Sequence, residues 1–192
     1  MAARAGLDQA AVVREAAALA DQVGLEGLTL ATLAVHLKVR APTLYHYVDG
    51  LAGLRRELTL LGLRELAARL GTAIMGKAGD DAVLALAQSY RAFVKERPGL
   101  YAATVRAGAP DDTELVTLSQ EVIAIALRAL AAYQLQGDDA IHTVRVLRSV
   151  LHGFATLESA GGFGMPLAVD ETFRRLMDTL LLGLHHQYET GK

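Results

Sequence analysis

The 192-residue sequence predicts an all-α fold, and three observations carry that reading. Only four prolines occur. The long segments between glycines are rich in Ala, Leu, Arg and Glu, which fit a helix with little loss of side-chain freedom. No strand-like alternation is sustained over several segments, and neither a fixed-period repeat nor a low-complexity tract is found.

The first helix is expected over about 8–23, with Asp8 as N-cap and Val12, Ala16, Leu19, Ala20 and Val23 on one stripe. Gly24 follows where a left-handed residue is wanted. Thr29 then caps a helix of about two turns carrying Leu30, Leu33, Ala34 and Leu37, the i, i+3, i+4, i+7 pattern of a buried face. After Lys38-Val39-Arg40 a third short helix begins. Pro42 is tolerated in its first turn, Leu44 and Val48 turn inward, and Val39 is placed to staple onto Leu44. Beyond Asp49-Gly50 the helices lengthen, to about 51–77, 80–97, 99–109, 112–135, 138–160 and 170–188. Each break carries a signal: Gly79-Asp80, Pro98-Gly99, Pro110-Asp111, Gly137-Asp138, and the loop from Gly161 to Pro166. The expected organisation is a three-helix head, residues 1–50, and a body of about six helices, residues 51–192.

Composition bounds the function. At 52% hydrophobic and 21% charged the chain buries a sizeable core, which excludes disorder. No cysteine is present, which removes disulfides, thiolate metal sites and cysteine nucleophiles together. That absence points to a reduced compartment, so a cytoplasmic location is expected, and with no long apolar run and an N-terminal pattern interrupted by Asp8, Arg14 and Glu15 neither a membrane span nor a signal peptide is expected. The net charge of -2 means that any DNA binding must be local.

Residues 24–48 are the most informative. Two short helices joined by a tight turn, the second exposing Thr43, His46 and Tyr47 with Tyr45 at its flank, make a helix-turn-helix whose exposed face would enter a major groove. Hydroxyls and imidazole supply donors to phosphates and base edges, and Thr29 at a helix N-terminus adds a phosphate contact. The competing reading is a helical hairpin in an ordinary bundle, its aromatics packed on the core.

The order of a first helix, Gly24-Leu25-Glu26-Gly27-Leu28-Thr29, Leu33-Ala34, and Ala41-Pro42-Thr43-Leu44-Tyr45-His46-Tyr47-Val48 resembles the DNA-binding head of the TetR family of transcriptional regulators, close to the tetracycline repressors. Leu151-His152-Gly153-Phe154 followed by Leu157-Glu158 resembles the eighth helix of one subgroup. The resemblance implies a homodimer that binds a pseudo-palindromic operator, most often as a repressor, and releases it on binding a small molecule. It further implies that Thr43 touches a base or phosphate, that Tyr45 and Tyr47 contact phosphates, and that Ala41, Pro42 and His46 face bases. Residues 1–56 hold six basic and five acidic groups, a net +1, which predicts a shallow salt dependence of DNA binding. Lys38, Arg40, Arg55 and Arg56 are the electrostatic candidates, each alternatively a solvated surface charge.

In the body, Arg145, Arg148 and His152 share one helix face beside Val144, Leu147, Leu151 and Phe154. Such a cationic edge would orient an anionic or carbonyl-bearing ligand, or else pair with acids. Tyr90, Phe93, Tyr101, Thr104 and Gln120 are candidate pocket walls, or plain core. The stripe Leu176, Leu180 and Leu184, with Leu181 at its edge, is the seam expected where the last two helices meet their symmetry mates, unless it packs within the chain. Adjacent His185 and His186 point to different helix faces, poor geometry for a metal. No catalytic motif is present, so neither an enzyme nor a cofactor is indicated. A small-molecule-binding helical protein without specific DNA affinity is the alternative reading.

Overall fold

The computed structural model describes residues 7–105 and 111–190, with side chains described through residue 186. Among the described residues the chain is helical throughout, without strands: α1 Gln9–Val23, α2 Leu30–Leu37, α3 Ala41–Leu44, α4 Gly50–Ile74, α5 Gly79–Glu96, α6 Pro98–Thr104, α7 Thr113–Ala129, α8 Gly137–Ser159 and α9 Val169–Thr190, with a 3-10 turn at Ala131–Tyr133. No helix of these residues is long and apolar enough to cross a membrane.

The expected starts hold where a cap specifies them. The Asp8 carboxylate accepts from the Ala11 amide at 2.6 Å, and the Thr29 hydroxyl accepts from the Thr32 amide at 3.0 Å. The ends differ more. The seventh helix stops at Ala129, short of the expected 135, because the chain tightens into the 3-10 turn and Gln134 takes φ 55°. That break buries the Tyr133 ring and lets its hydroxyl donate to Asp80 at 2.6 Å. The expected end of the sixth helix near 109 lies outside the described residues.

Two compact units are distinguished. The first holds residues 1–65 and 96–118, and α4 leaves it at Glu65. Its core is built from Val12, Ala16 and Ala20 of α1, Leu33 of α2, Leu44 of α3, and Leu54 and Leu58 of α4. Its most extensive helix pairing is α1 on α6. Gly99 makes this approach possible: a Cβ there would stand 2.1 Å from the backbone carbonyl of Ala20. The Asp21 carboxylate at the end of α1 accepts from the Gly99 and Leu100 amides, both at 2.9 Å, two donors that α6 itself leaves unsatisfied. Arg97 bonds the other Asp21 oxygen at 2.6 Å and Glu65 at 2.9 Å.

The second unit holds residues 66–95 and 119–192. Phe93, Ile125, Leu151 and Met177 are its most completely buried large side chains, together with Leu70. One ion cluster organises it. Arg91 of α5 forks onto Glu158 of α8 with two bonds of 2.6 Å and reaches Asp170 of α9 at 2.7 Å. Its guanidinium lies 5.4 Å from the Phe154 ring and 4.7 Å from that of Phe173.

Candidate nucleic-acid interface

The α2–turn–α3 segment is held by local hydrogen bonds. Thr29 and Thr32 cap each other's amides, the Thr29 amide donating to the Thr32 hydroxyl at 2.9 Å. Thr29, expected at a phosphate, is therefore exposed with its hydroxyl engaged in the α2 cap. At the other end Lys38 takes the left-handed conformation, φ 55°, and donates its amide to the Val35 carbonyl at 3.1 Å while Val39 donates to Ala34 at 3.0 Å. This pair of bonds closes a Schellman end with lysine in the place usually held by glycine. Arg40 is extended, φ -80° and ψ 141°, and opens α3 without a side-chain cap.

α3 is a single turn and then loosens, Tyr47 donating to the Leu44 carbonyl at 2.9 Å and Val48 at 3.0 Å. Leu44 and Val48 are buried as expected. Pro42, Tyr45 and His46 are exposed, and Ala41, Thr43 and Tyr47 half-buried. Tyr45 is 64% exposed, which decides against packing of that ring on the core. The helical pattern therefore turns a short, mostly uncharged face outward.

Electrostatics alter the expected set of cations. Arg55 bonds Glu26 at 3.2 Å. Arg56 grips Asp112 at 2.5 and 2.9 Å and Glu114 at 3.2 Å, and Arg64 also bonds Glu114. The Arg56 hydrogen bonds hold the Asp112 carboxyl below its ordinary range. Two of the four cations named as electrostatic candidates are thus ion-paired inside the first unit, Arg55 with Glu26, 29 residues back, and Arg56 with acids more than fifty residues away in sequence. Lys38 and Arg40 are both exposed beside α3.

The candidate ligand residues divide between the units. Tyr101 and Thr104 are buried in the first, the Thr104 hydroxyl donating to the Tyr101 carbonyl at 2.8 Å and its methyl lying where a Gly62 Cβ would be. Tyr90 and Phe93 are core of the second, with Arg69 5.3 Å from the Phe93 ring centre. Gln120, Arg145 and Arg148 are exposed, and His152 is half-buried. Reasoning on the sequence missed the Arg91–Glu158–Asp170 cluster, for which no local spacing is diagnostic.

The expected seam also divides. Leu176 and Leu180 are half-buried and line an apolar groove of about 280 Å³ with Thr143, Val146 and Val150 of α8 and Thr179, Gly183 and Leu184 of α9. Leu184 is only 3% exposed at its floor, and Leu181 is buried in its own unit. Val146, not singled out in the sequence, is 51% exposed on the rim. His185 is occupied otherwise, bonded to Asp80 at 3.1 Å and edge-on to Tyr133.

Residues 83–180 match a family described as tetracyclin repressor-like, C-terminal domain. The chain is 35% identical over 185 residues to an HTH-type transcriptional regulator of Bacillus subtilis (strain 168), covering 96% of each chain. It is 31% identical over 188 residues to one of Mycobacterium tuberculosis, covering 97% of this chain and 86% of that one. Among solved structures, a variant TetR from Acinetobacter baumannii AYE in complex with minocycline superposes with a TM-score of 0.71 at 22% identity, covering 95% of this chain and 99% of that one. A Rhodococcus sp. RHA1 protein of unknown function reaches 0.78 at 22% identity, covering 94% and 96%.

Proposed function

The chain belongs to the TetR family of transcriptional regulators, and from that premise we propose that it is a ligand-responsive repressor that binds a pseudo-palindromic operator as a homodimer in the cytoplasm. Residues 1–50 form the reading head, with Thr29, Lys38, Arg40, Ala41, Pro42, Thr43, Tyr45, His46 and Tyr47 at the DNA. Residues 51–192 bind the effector and the second subunit. The observation that carries the reading is the outward face of α3, where Tyr45 is 64% exposed one residue after fully buried Leu44. The turn presents polar tips to solvent while its apolar side anchors it, as a recognition helix must.

The groove between α8 and α9 supports the self-association. Its apolar lining is matched in a symmetric contact by the same groove of a second copy, and two heads then sit about 34 to 36 Å apart on the duplex. The effector is expected to be apolar with one or two polar groups, met by some of Tyr90, Phe93, Tyr101, Thr104, Gln120, Arg145, Arg148 and His152. By linkage, DNA and effector each weaken the other by the same factor, commonly about 1 to 3 kcal/mol.

Operator titration by fluorescence anisotropy at fixed salt tests both halves of the reading. Thr43→Ala and Tyr45→Ala are expected to weaken binding by about 1 to 3 kcal/mol per half-site with helix content unchanged. Leu180→Glu places a charge among Val146, Val150 and Leu176, and is expected to give monomers by sedimentation and to lose the tight complex. Wild-type affinity in both α3 variants, or an intact Leu180→Glu dimer, contradicts the corresponding assignment.

A further inference from the structure

We infer that Lys38 contacts a DNA phosphate, and that this contact is what retains a lysine in a backbone conformation that destabilises the fold; the inference rests on the DNA-binding reading above. Among the described residues six glycines take a positive φ, and so do two other residues, Lys38 and Gln134. Gln134 follows Tyr133, whose burial and bond to Asp80 fix the break at the end of α7. Lys38, φ 55° and ψ 42°, stands where α2 ends.

At this position glycine would serve the fold better. The Schellman end is made by main-chain atoms alone, the Lys38 amide on Val35 at 3.1 Å and the Val39 amide on Ala34 at 3.0 Å. Any residue with an N–H forms these bonds, but only glycine does so without a Cβ crowding the following carbonyl. That crowding costs about five- to thirtyfold in the folding equilibrium, of which glycine's greater freedom in the unfolded chain offsets a part. Lysine also lacks the short polar side chain by which Asn or Asp eases the same conformation. The reason for a lysine therefore lies in the far end of its side chain, and the residue is exposed.

Position and charge identify the ligand. Lys38 lies three residues before Ala41, in the turn between α2 and α3. In a helix-turn-helix the second helix enters the groove and the first crosses the backbone, so the turn between them passes over the phosphates at the groove's edge. Four arginines of the same unit, Arg55, Arg56, Arg64 and Arg97, each bond a carboxylate of the chain, which leaves less positive charge for a polyanion. Lys38 and Arg40 are both exposed on the turn, and Arg40 has ordinary extended backbone, φ -80° and ψ 141°. Only at Lys38 does placing a cation there oppose the local conformation. An ammonium is a point charge with three donors on a flexible stem, which suits a phosphate oxygen and reads no sequence.

Three full-length variants separate charge from backbone. Lys38→Gly relieves the crowding and removes the charge, Lys38→Met keeps the crowding and removes the charge, and Lys38→Arg keeps both. Each is unfolded in urea and titrated by fluorescence anisotropy, at about 0.05 to 0.2 M salt, on a duplex that the wild type selects from a random-sequence library and on a scrambled duplex of the same length. Lys38→Gly is expected to unfold at higher urea than the wild type and yet to bind both duplexes more weakly. Lys38→Met is expected to show the same loss on DNA at wild-type stability, and Lys38→Arg to bind as the wild type does. One lost phosphate contact lowers the salt slope by about 0.9, so the wild-type advantage over Lys38→Gly and Lys38→Met is expected to shrink about 3.5-fold per subunit across that salt range, equally on both duplexes. Wild-type affinity in Lys38→Met overturns the inference, because any loss in Lys38→Gly would then come from the backbone. So does a loss confined to the selected duplex, which would make Lys38 a reader of bases, and so does a Lys38→Gly chain no more stable than the wild type. If the library yields no enriched duplex, the DNA-binding reading itself falls, and this inference falls with it.

Discussion

Gly99→Ala is expected to destabilise the protein by about 3 kcal/mol or more, far beyond the usual effect of adding one methyl group. The added Cβ would lie 2.1 Å from the carbonyl carbon and oxygen of Ala20 and 2.6 Å from the Asp21 nitrogen. All three are backbone atoms inside or next to the last turn of α1, so no side-chain rotation relieves the clash. α6 must move away from α1, and the two amides that Asp21 holds at 2.9 Å lose their acceptor with it. A buried amide left without a partner costs about 1 to 3 kcal/mol by itself. Gly71→Ala is the control, because its Cβ would meet only the tip of Ile125 at 3.8 Å within α4. It is expected to be neutral or to stabilise by about 0.5–1 kcal/mol. Urea unfolding followed by circular dichroism separates the two, and equal midpoints for both variants would show that the α1–α6 approach tolerates a side chain.

The second large effect is expected at Arg91. Arg91→Met retains apolar bulk against Phe154 and Phe173 but strands Glu158, whose side chain is only 11% exposed and keeps Lys95 alone, at 2.9 Å. Removing one partner of a buried pair costs about 3–5 kcal/mol, and the partial exposure of Lys95 sets the expectation at the lower end. Combining Arg91→Met with Glu158→Leu removes both charges and is expected to recover most of the loss, because the dominant cost is the unpaired carboxylate rather than the missing bond. The pH dependence follows from the same geometry. The Arg91 hydrogen bonds hold the Glu158 carboxyl below its ordinary range in the folded chain. A carboxylate so depressed stabilises the fold fully above its unfolded pKa, about 4.3, and that contribution fades as the pH falls through the folded value. The gap between wild type and Arg91→Met should therefore be widest near neutral pH and should narrow in acid. A gap independent of pH between 3 and 7 would place the stabilisation in the aromatic packing of Arg91 instead.

Much of the head was legible in the sequence because its signals are short in range. Asp8 and its Ala11 partner are three residues apart, as are Thr29 and Thr32, and an apolar stripe of period 3.6 names most of the inward face of α1 and α2, although Val23, at the end of the α1 stripe, is exposed. The same locality explains why Leu44 and Val48 are inward and Tyr45 and His46 outward. Local signals fail where a helix end depends on a distant partner. α7 carries good helix formers to Leu130, yet it breaks where Tyr133 finds Asp80, 53 residues back. The candidate ligand residues share this weakness: the sequence left Tyr90, Phe93, Tyr101 and Thr104 as pocket walls or plain core, and all four are buried, Tyr101 and Thr104 in one unit and Tyr90 and Phe93 in the other.

The sequence by itself determined the helical class, the order of the elements, the helix-turn-helix and which faces are apolar, because backbone propensity, caps and periodicity are properties of neighbouring residues. Only the tertiary structure decided which partner meets each face. It paired Arg56 with Asp112, so that a cation beside the head is spent inside its own unit. It sent Leu181 inward while Leu180, one residue earlier, lines an open groove. It made Gly99 indispensable through Ala20 and gave Arg91 its place through Glu158, 67 residues away. A helical stripe specifies direction but not neighbour, and the neighbour sets both the charge that remains available and the space that a side chain may fill.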